Sequence, residues 1–312
     1  MSACTGVTSP VSRGSYTGPS LYNSKIIPPP KQCRYFSTAL TLSLSLLRFF
    51  TSGKMVGQST LATTFRQYHV PGAPLILTNV YDAVTARAVA KLSATRALAT
   101  ASYAVAQAAG VSDNDLDLEK NLAAVSAIAP VAKETEIPLS VDWQDGYGDR
   151  LEEGIEKLLA HGVVGINLED CDNESDQMIP LKDAAERVQR VLAVAKKHGV
   201  DDFVVNARTD ALLHGGPISE AITRGKAYLA AGATTVFVWG GSTRGGITKN
   251  EVIELTKAFD GRLNVSLKRD PGNLTVKDLA SIGVARISIG PALQFVAVKA
   301  FADEAEKLLN SR

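Results

Sequence analysis

Short β-rich runs alternate with longer helical stretches from about residue 70 onward in this 312-residue chain, and that alternation limits the fold more than any other feature. The predicted strands are Leu75–Tyr81, Ala97–Tyr103, Leu139–Gln144, Val163–Glu169, Phe203–Thr209, Thr235–Trp239, Leu263–Lys268 and Arg286–Ile289. Helical stretches such as Leu151–His161, Leu181–His198, Ile218–Ala231 and Lys249–Phe259 lie between them. Leu181–His198 carries Ala184, Val188, Val191, Leu192 and Ala195 at helical spacing, which makes one apolar stripe. Gly162, Gly199, Gly232 and Gly283 each stand between a helix and the next strand, where C-terminal caps belong. Eight β-α units in about 250 residues is the count of a (β/α)8 TIM barrel, with a doubly wound open sheet as the fallback. No Gly-x-Gly-x-x-Gly follows the first strand, which argues against a dinucleotide fold. One amphipathic helix, Ala292–Leu309, ends the pattern.

Residues 1–54 read differently. The first acidic residue is Asp82, and well before it come Arg13, Lys25, Lys31, Arg34, Arg48 and Lys54 among many Ser and Thr and a Pro28-Pro29-Pro30 run. A basic, Ser-rich, acid-poor stretch has the signature of an organelle transit peptide, which predicts a mitochondrial protein. The competing readings are plain disorder, or translation from Met55, which predicts a cytoplasmic one. Residues 55–312 then form a single barrel domain. The net charge of +1 supplies no global field for nucleic acid or an anionic membrane. The most apolar run, Ala39 to Phe50, is far shorter than the roughly 20 residues of a membrane span. Cys4, Cys33 and Cys171 make no readable disulfide or paired-cysteine zinc framework.

Chemistry concentrates at the C-terminal ends of the middle strands, where a barrel enzyme keeps its site. One strand runs into Asp142-Trp143-Gln144-Asp145-Gly146-Tyr147-Gly148, the next into Asn167-Leu168-Glu169-Asp170, and a third into Asn206-Ala207-Arg208-Thr209-Asp210. Strand alternation puts Asp142 with Gln144, Asn167 with Glu169, Asn206 with Arg208 and Asp210, and Asn264 with Ser266 and Lys268 on the polar face. Two carboxylates on adjacent strands form an oxygen-only site that suits Mg²⁺ with part of its hydration shell; Mn²⁺ accepts the same donors. Such a cation would polarise a 2-oxo acid, and Arg208 would neutralise its carboxylate or a developing oxyanion. A buried charge network closing the barrel end is the bland reading of the same residues.

These blocks resemble the phosphoenolpyruvate mutase/isocitrate lyase superfamily. The likeness spans roughly Phe65 to Leu309. It rests on Asn79-Val80-Tyr81-Asp82-Ala83, Thr100-Ala101-Ser102-Tyr103, Gly110-Val111-Ser112-Asp113, Asp142 to Gly148, Asn167 to Asp170, Ala207 to Asp210, Ala231-Gly232-Ala233 and Gly283 to Pro291, in that order. The resemblance implies a Mg²⁺-dependent barrel that makes or breaks C–C or P–C bonds beside a 2-oxo acid through an enolate. Its substrate would be a small carboxylate or phosphonate. Asp142 matches the direct metal ligand, Glu169 an acid reaching the metal through water, and Gln144 a further position of the metal motif. Arg208 matches the substrate arginine, Ser102 the place where the substrate carboxylate is held, and Asp113 an acid of the first active-site loop. Tyr103, Gly146, Tyr147, Asn206, Trp239 and Asn264 complete the expected substrate-binding set. The superfamily commonly assembles as homo-oligomers, dimers or tetramers, with exchanged C-terminal helices; this chain has a single terminal helix to exchange.

Two departures narrow the reading. Gln144 stands where the family often has a second acid, which removes a negative charge from the metal's surroundings. The Lys-(Lys/Arg)-Cys-Gly-His loop of the isocitrate and methylisocitrate lyases is replaced by Cys171-Asp172-Asn173-Glu174-Ser175-Asp176-Gln177-Met178. Isocitrate lyase activity is therefore not expected, and a branch resembling carboxyphosphonoenolpyruvate phosphonomutase or oxaloacetate hydrolase is. Cys171 amid acids should resist forming a thiolate, and His214 is the histidine placed to reach the mouth. The alternatives are a barrel isomerase or aldolase using Gly283–Pro291 as a phosphate cradle and Lys268 as a Schiff-base lysine, and a barrel that has lost its chemistry.

Overall fold

The computed structural model describes residues 57–311, in which strands and helices alternate as the pattern predicts. In chain order they are α1 (Gln58–Gln67), β1 (Leu75–Leu77), α2 (Ala83–Ala90), β2 (Leu98–Ala99), α3 (Ser102–Ala108), α4 (Leu118–Thr135), β3 (Leu139–Asp142), α5 (Leu151–Ala160) and β4 (Gly165–Glu169). A two-stranded hairpin, β5 (Cys171–Asp172) and β6 (Gln177–Met178), interrupts the alternation. Then come α6 (Leu181–Lys197), β7 (Val204–Thr209), α7 (Ile218–Ala230), β8 (Thr235–Val238), α8 (Lys249–Ala258), β9 (Leu263–Ser266), α9 (Val276–Ile282), β10 (Arg286–Ser288) and α10 (Ala292–Leu309). The expectations for residues 1–54 fall on residues outside those described.

Eight parallel strands form one sheet in the order β1-β10-β9-β8-β7-β4-β3-β2. A parallel bridge between Val80 and Thr100, with the Val80 amide donating to the Ala99 carbonyl at 2.8 Å, joins the two ends into a ring. The (β/α)8 barrel is therefore the fold, and the open sheet is set aside. Helix burial follows the predicted stripe: α6 buries Ala184, Arg187, Val188, Val191 and Ala195, with Leu192 half-buried beside them. Gly162, Gly199, Gly232 and Gly283 all adopt positive φ, as helix-terminating glycines do. Trp143, fully buried, points outward into the strand–helix layer. Its ring lies so close to Gly154 of α5 that an added Cβ would sit 2.6 Å from it. Among the described residues no helix is long and apolar enough to cross a membrane.

Six of the eight strands, all but β4 and β7, stop one to four residues earlier than the periodicity suggests, and at two of them the difference moves expected site residues. The second strand gives way to α3 at Ser102, so Ser102 and Tyr103 open a helix. β3 ends at Asp142 and Gln144 takes a left-handed φ of 47°, so strand alternation does not carry from 142 to 144.

The barrel interior is polar in one layer. Asn206, Thr235, Asn264 and Arg286 are buried there, although most of the strands' other residues are apolar. Arg286 donates to Asn167 Oδ1 at 3.0 Å and lies 3.4 Å from His69 Nε2. His69 Nδ1 is 2.8 Å from the Phe65 carbonyl, which can only accept, so the proton sits on Nδ1 and Nε2 faces the guanidinium as an acceptor. Burial and the Arg286 charge both oppose a second proton and lower the His69 pKa to about 3. The unfolded chain protonates this imidazole near its ordinary value, so the unfolded state binds more protons between about pH 6.5 and about 3. Stability from neutral His69 is thus present above that window and is lost as pH falls through it. The melting temperature of the wild type is expected to drop from pH 7 to pH 4 more steeply than that of His69→Gln; parallel curves would contradict the assignment.

Candidate active site

β3, β4, β7 and β8 are neighbours, and their register brings Asp142, Asn167, Asn206 and Thr235 onto one rung. A run of hydrogen bonds crosses that rung. The Thr235 hydroxyl donates to Asn206 Oδ1 at 2.6 Å, Asn206 Nδ2 to Asn167 Oδ1 at 2.9 Å, and Asn167 Nδ2 to Asp142 Oδ1 at 3.2 Å. Asp142 Oδ2 receives the Ser102 amide at 2.9 Å, and the Asp142 amide donates to Thr100 Oγ1 at 2.8 Å. Each carboxylate oxygen of Asp142 thus accepts one hydrogen bond and keeps lone-pair capacity for another partner.

The next rung holds Glu169, Arg208 and Phe237. Arg208 donates to Glu169 Oε1 at 2.6 Å and, in bidentate fashion, to both oxygens of Asp210 at 2.7 and 2.9 Å. Its guanidinium lies 4.3 Å from the Trp239 ring centroid, a cation–π stack. Three of its five N–H donors are occupied by these contacts, which leaves two for a ligand. Burial opposes the Arg208 charge, but Asp210 and Glu169 outweigh it and hold the group protonated above its ordinary range. Glu169 moves up as well: burial dominates, and Asp210, Asp142 and Asp113 reinforce it against Arg208. Asp113 is raised by burial and by Asp142, against a Ser102 hydrogen bond and Arg208. Four carboxylates therefore surround Arg208 at the mouth, with Arg286 below them interacting with Asp142.

A cavity of about 150 Å³ opens on this set, lined among others by Asn79, Ser102, Tyr103, Asp113, Asp142, Asn167, Arg208, Trp239 and Ser266. Of the residues expected from sequence, Arg208, Ser102, Asp113, Asp142, Tyr103 and Trp239 meet here. Glu169 stands behind Arg208 and does not line the cavity. Gln144 lies beneath it, donating through Nε2 to the Asp113 carbonyl at 2.9 Å and accepting the Tyr147 hydroxyl at 3.2 Å. Tyr147 is pinned by Asn121 Nδ2 at 2.8 Å. Gly146 is a packing residue of the turn: φ is 79°, and an added Cβ would fall 2.6 Å from Leu151 Cδ1. Asn206 and Asn264 sit deeper in the barrel, Asn264 donating to Ser288 Oγ at 3.2 Å. Asn79 and Arg286 belong to the constellation without having been singled out by sequence. Asn79 Oδ1 accepts the Ile289 and Gly290 amides at 3.1 and 3.0 Å, which ties β1 to the end of β10. Their signal was a polar side chain at an inward strand position, and an isolated Asn or Arg in a short run does not declare its direction. Lys268 lines a separate cavity with Arg244 and Lys249.

Asp170, directed away from the mouth, anchors the scaffold: it accepts the Tyr228 hydroxyl at 2.6 Å and the Asp210 amide at 2.9 Å. The hairpin β5–β6 follows it. Its first residue, Cys171, has a thiol pushed up to about 12 by burial, then by Asp210, Asp176, Asp170 and Glu169, and is protonated at neutral pH.

The model of the phosphoenolpyruvate phosphomutase family matches residues 65–309. An uncharacterized protein of Mycobacterium tuberculosis is 30% identical over 230 residues, covering 73% of this chain and 81% of its own. The phosphonopyruvate hydrolase of a Variovorax species is 28% identical over 199 residues, covering 61% of this chain and 64% of its own. A crystal structure from Burkholderia cenocepacia, of a protein provisionally classed as a phosphonomutase, superposes with a TM-score of 0.72 at 32% identity, covering 80% of this chain and 99% of that one.

Arg208 is the cation that compensates two buried acids, so Arg208→Gln leaves uncompensated charge inside the barrel end. Its expected cost is about 3–5 kcal/mol at pH 7, read by urea denaturation. Arg208 pulls the Glu169 pKa down in the wild type, so its loss raises that pKa further and the folded variant takes up a proton at a higher pH than the folded wild type does. Its deficit against the wild type should therefore shrink as pH falls toward 5, and a deficit that grows would refute this account.

Proposed function

The chain belongs to the phosphoenolpyruvate phosphomutase family, and from that premise we propose a Mg²⁺-dependent enzyme that cleaves a C–C or P–C bond beside a 2-oxo acid through an enolate of the substrate. The observation that carries the proposal is the excess of acids at the mouth, where Asp113 and Asp142 line one cavity with Arg208, Arg208 is paired with Glu169 and Asp210, and, among the described residues, Arg286 below is the one further guanidinium interacting with Asp142. A divalent cation offsets that excess, and an oxygen-only donor set with room for water suits Mg²⁺ or Mn²⁺. The name of one relative, phosphonopyruvate hydrolase, supports a small 2-oxo acid as the substrate class. The cavity of about 150 Å³ supports a compact one.

The donors fit the cation. Asp142 would hold it directly, since both oxygens are oriented by Ser102 and Asn167 and retain lone pairs. Glu169 would reach it through water. When bound, the cation would supply Lewis-acid polarisation of the 2-oxo group. The two remaining N–H donors of Arg208 would bind the substrate carboxylate or a developing oxyanion. Trp239 stacks on that guanidinium and orients its plane, and Tyr103 walls the cavity. Asp113, braced by Gln144, is the side chain placed to move a proton at a carboxyl oxygen. Gln144 then serves the site by holding Asp113, with its own amide already engaged. The isomerase or aldolase alternative is less well supported. Lys268 faces another cavity, and two amides of the expected phosphate cradle are taken by Asn79.

Oxalate mimics a pyruvate enolate, with adjacent oxygens for the cation and a carboxylate for Arg208. The full chain should melt at higher temperature only when Mg²⁺ and oxalate are both present, and Asp142→Ala should abolish the shift. A folded wild type with no shift would return the protein to the inactive-barrel alternative.

We further propose that the partner is a second copy of this chain, docked on α10. That helix leaves Phe295, Val296, Val298, Phe301, Leu308 and Leu309 exposed, Phe301 to 79%. Several large apolar side chains exposed on one terminal helix mark an interaction surface. Light scattering after size exclusion should give a dimer or tetramer for the wild type and a smaller species for Phe301→Glu; a monomeric wild type would sink the idea.

A further inference from the structure

Three different ligand types converge where the β5–β6 hairpin meets the loop after β7. Cys171 Sγ lies 3.2 Å from His214 Nε2, Asp176 Oδ1 lies 3.9 Å from that nitrogen, and the same oxygen lies 3.9 Å from the sulfur. Among the described residues this is the one trio of His, Cys, Asp or Glu side chains whose ligand atoms all fall within 4.8 Å of one another. The carboxylates of the barrel mouth are not gathered in this way. We propose that Cys171, His214 and Asp176 form a binding site for Zn²⁺ or a similar borderline-soft cation, separate from the oxygen site at Asp142.

The distances carry the proposal. Zinc bound tetrahedrally to sulfur, imidazole nitrogen and carboxylate oxygen at its usual bond lengths requires ligand–ligand separations of about 3.4–3.6 Å. The trio brackets those values, and side-chain adjustments of a few tenths of an ångström bring it to them. The chain geometry is prepared locally. Asp176 adopts a left-handed φ of 53° at the hairpin turn, and its amide donates to the Asp172 carbonyl at 2.9 Å. His214 is held by its amide on the Asp210 carbonyl at 3.1 Å. The ligand chemistry selects the ion, because thiolate and imidazole favour zinc over magnesium. Coordination deprotonates the thiol and releases its proton to solvent. Thiolate, carboxylate and dication then sum to zero charge, in a neighbourhood otherwise rich in acids. Three protein ligands leave the fourth position to water. The bound ion would clip the loops that follow β4 and β7, the strands carrying Glu169 and Arg208.

The test uses the full chain with Cys4→Ser and Cys33→Ser, so that Cys171 is the remaining thiol. After stripping with a chelator, Zn²⁺ is counted per chain and Co²⁺ serves as the spectroscopic probe. One Zn²⁺ per chain is expected, together with a thiolate-to-cobalt charge-transfer band. Cys171→Ser should remove the band, and His214→Ala and Asp176→Asn, both at surface positions, should weaken Zn²⁺ binding by more than about tenfold. Asp142→Ala should leave Zn²⁺ uptake unchanged, which separates this site from the Mg²⁺–oxalate response. No stoichiometric Zn²⁺, a cobalt band that survives Cys171→Ser, or uptake indifferent to His214→Ala would each overturn the proposal. If Cys171→Ser does not fold, the two surface variants decide it.

Discussion

The geometry of the mouth depends on one carboxamide. Asn167 receives N–H donors from Asn206 and Arg286 on its oxygen and passes its own N–H to Asp142. With Thr235 feeding Asn206, the donors on β8, β7 and β4 all point the same way and end on the Asp142 carboxylate. Inside a low-dielectric barrel such a directed series polarises each member, and any reversed amide would leave a buried donor or acceptor unmet. The register of four parallel strands and the orientation of the candidate metal ligand are therefore one constraint. The same layer explains why a barrel interior built on short strands tolerates a buried Arg286: its charge is directed through Asn167 toward an acid, and His69 meets it as a neutral acceptor.

Above this layer the structure concentrates negative charge. Arg208 is clamped by Glu169 on one side and Asp210 on the other, and stacked on Trp239, so it is rigid without being saturated. That combination, a fixed cation with free donors beside carboxylates that repel one another, is suited to a site that gains stability when a divalent cation and an anionic ligand arrive together. Asp170 contributes from behind. By fastening the end of β4 to Tyr228 and to the Asp210 backbone, it sets the distance between the strands that carry Glu169 and Arg208. The hairpin that begins at Cys171 starts from this anchored point.

Much of the fold was legible in the sequence. All eight strands lie within the runs the periodicity marks, though six end short of them, and the helix-closing glycines and the terminal helix are where it puts them, because each β-α unit buries its own apolar stripe and ends at its own cap. The inward direction of Asp142, Glu169 and Arg208 was legible too, since polar residues at alternate positions near a strand's C-terminal end have one direction to point. That of Gln144 was not. Its alternation with Asp142 holds only while the strand continues, and the chain turns left-handed at 144. Gly146 was expected in the substrate-binding set, and Leu151 is what lies against it.

By itself, the sequence determined the kind of barrel, the family and the strand ends at which Asp142 and Glu169 stand, because periodicity, caps and motif blocks are local properties. Only the tertiary structure decided which polar groups satisfy one another. It left Asp142 facing the cavity with lone pairs to spare, withdrew Glu169 behind Arg208, committed Gln144 to Asp113, and brought Cys171 to His214 across 43 residues of chain. Those outcomes turn on distances between strands and loops remote in sequence. They are set by how the packed barrel closes, and no local pattern encodes them.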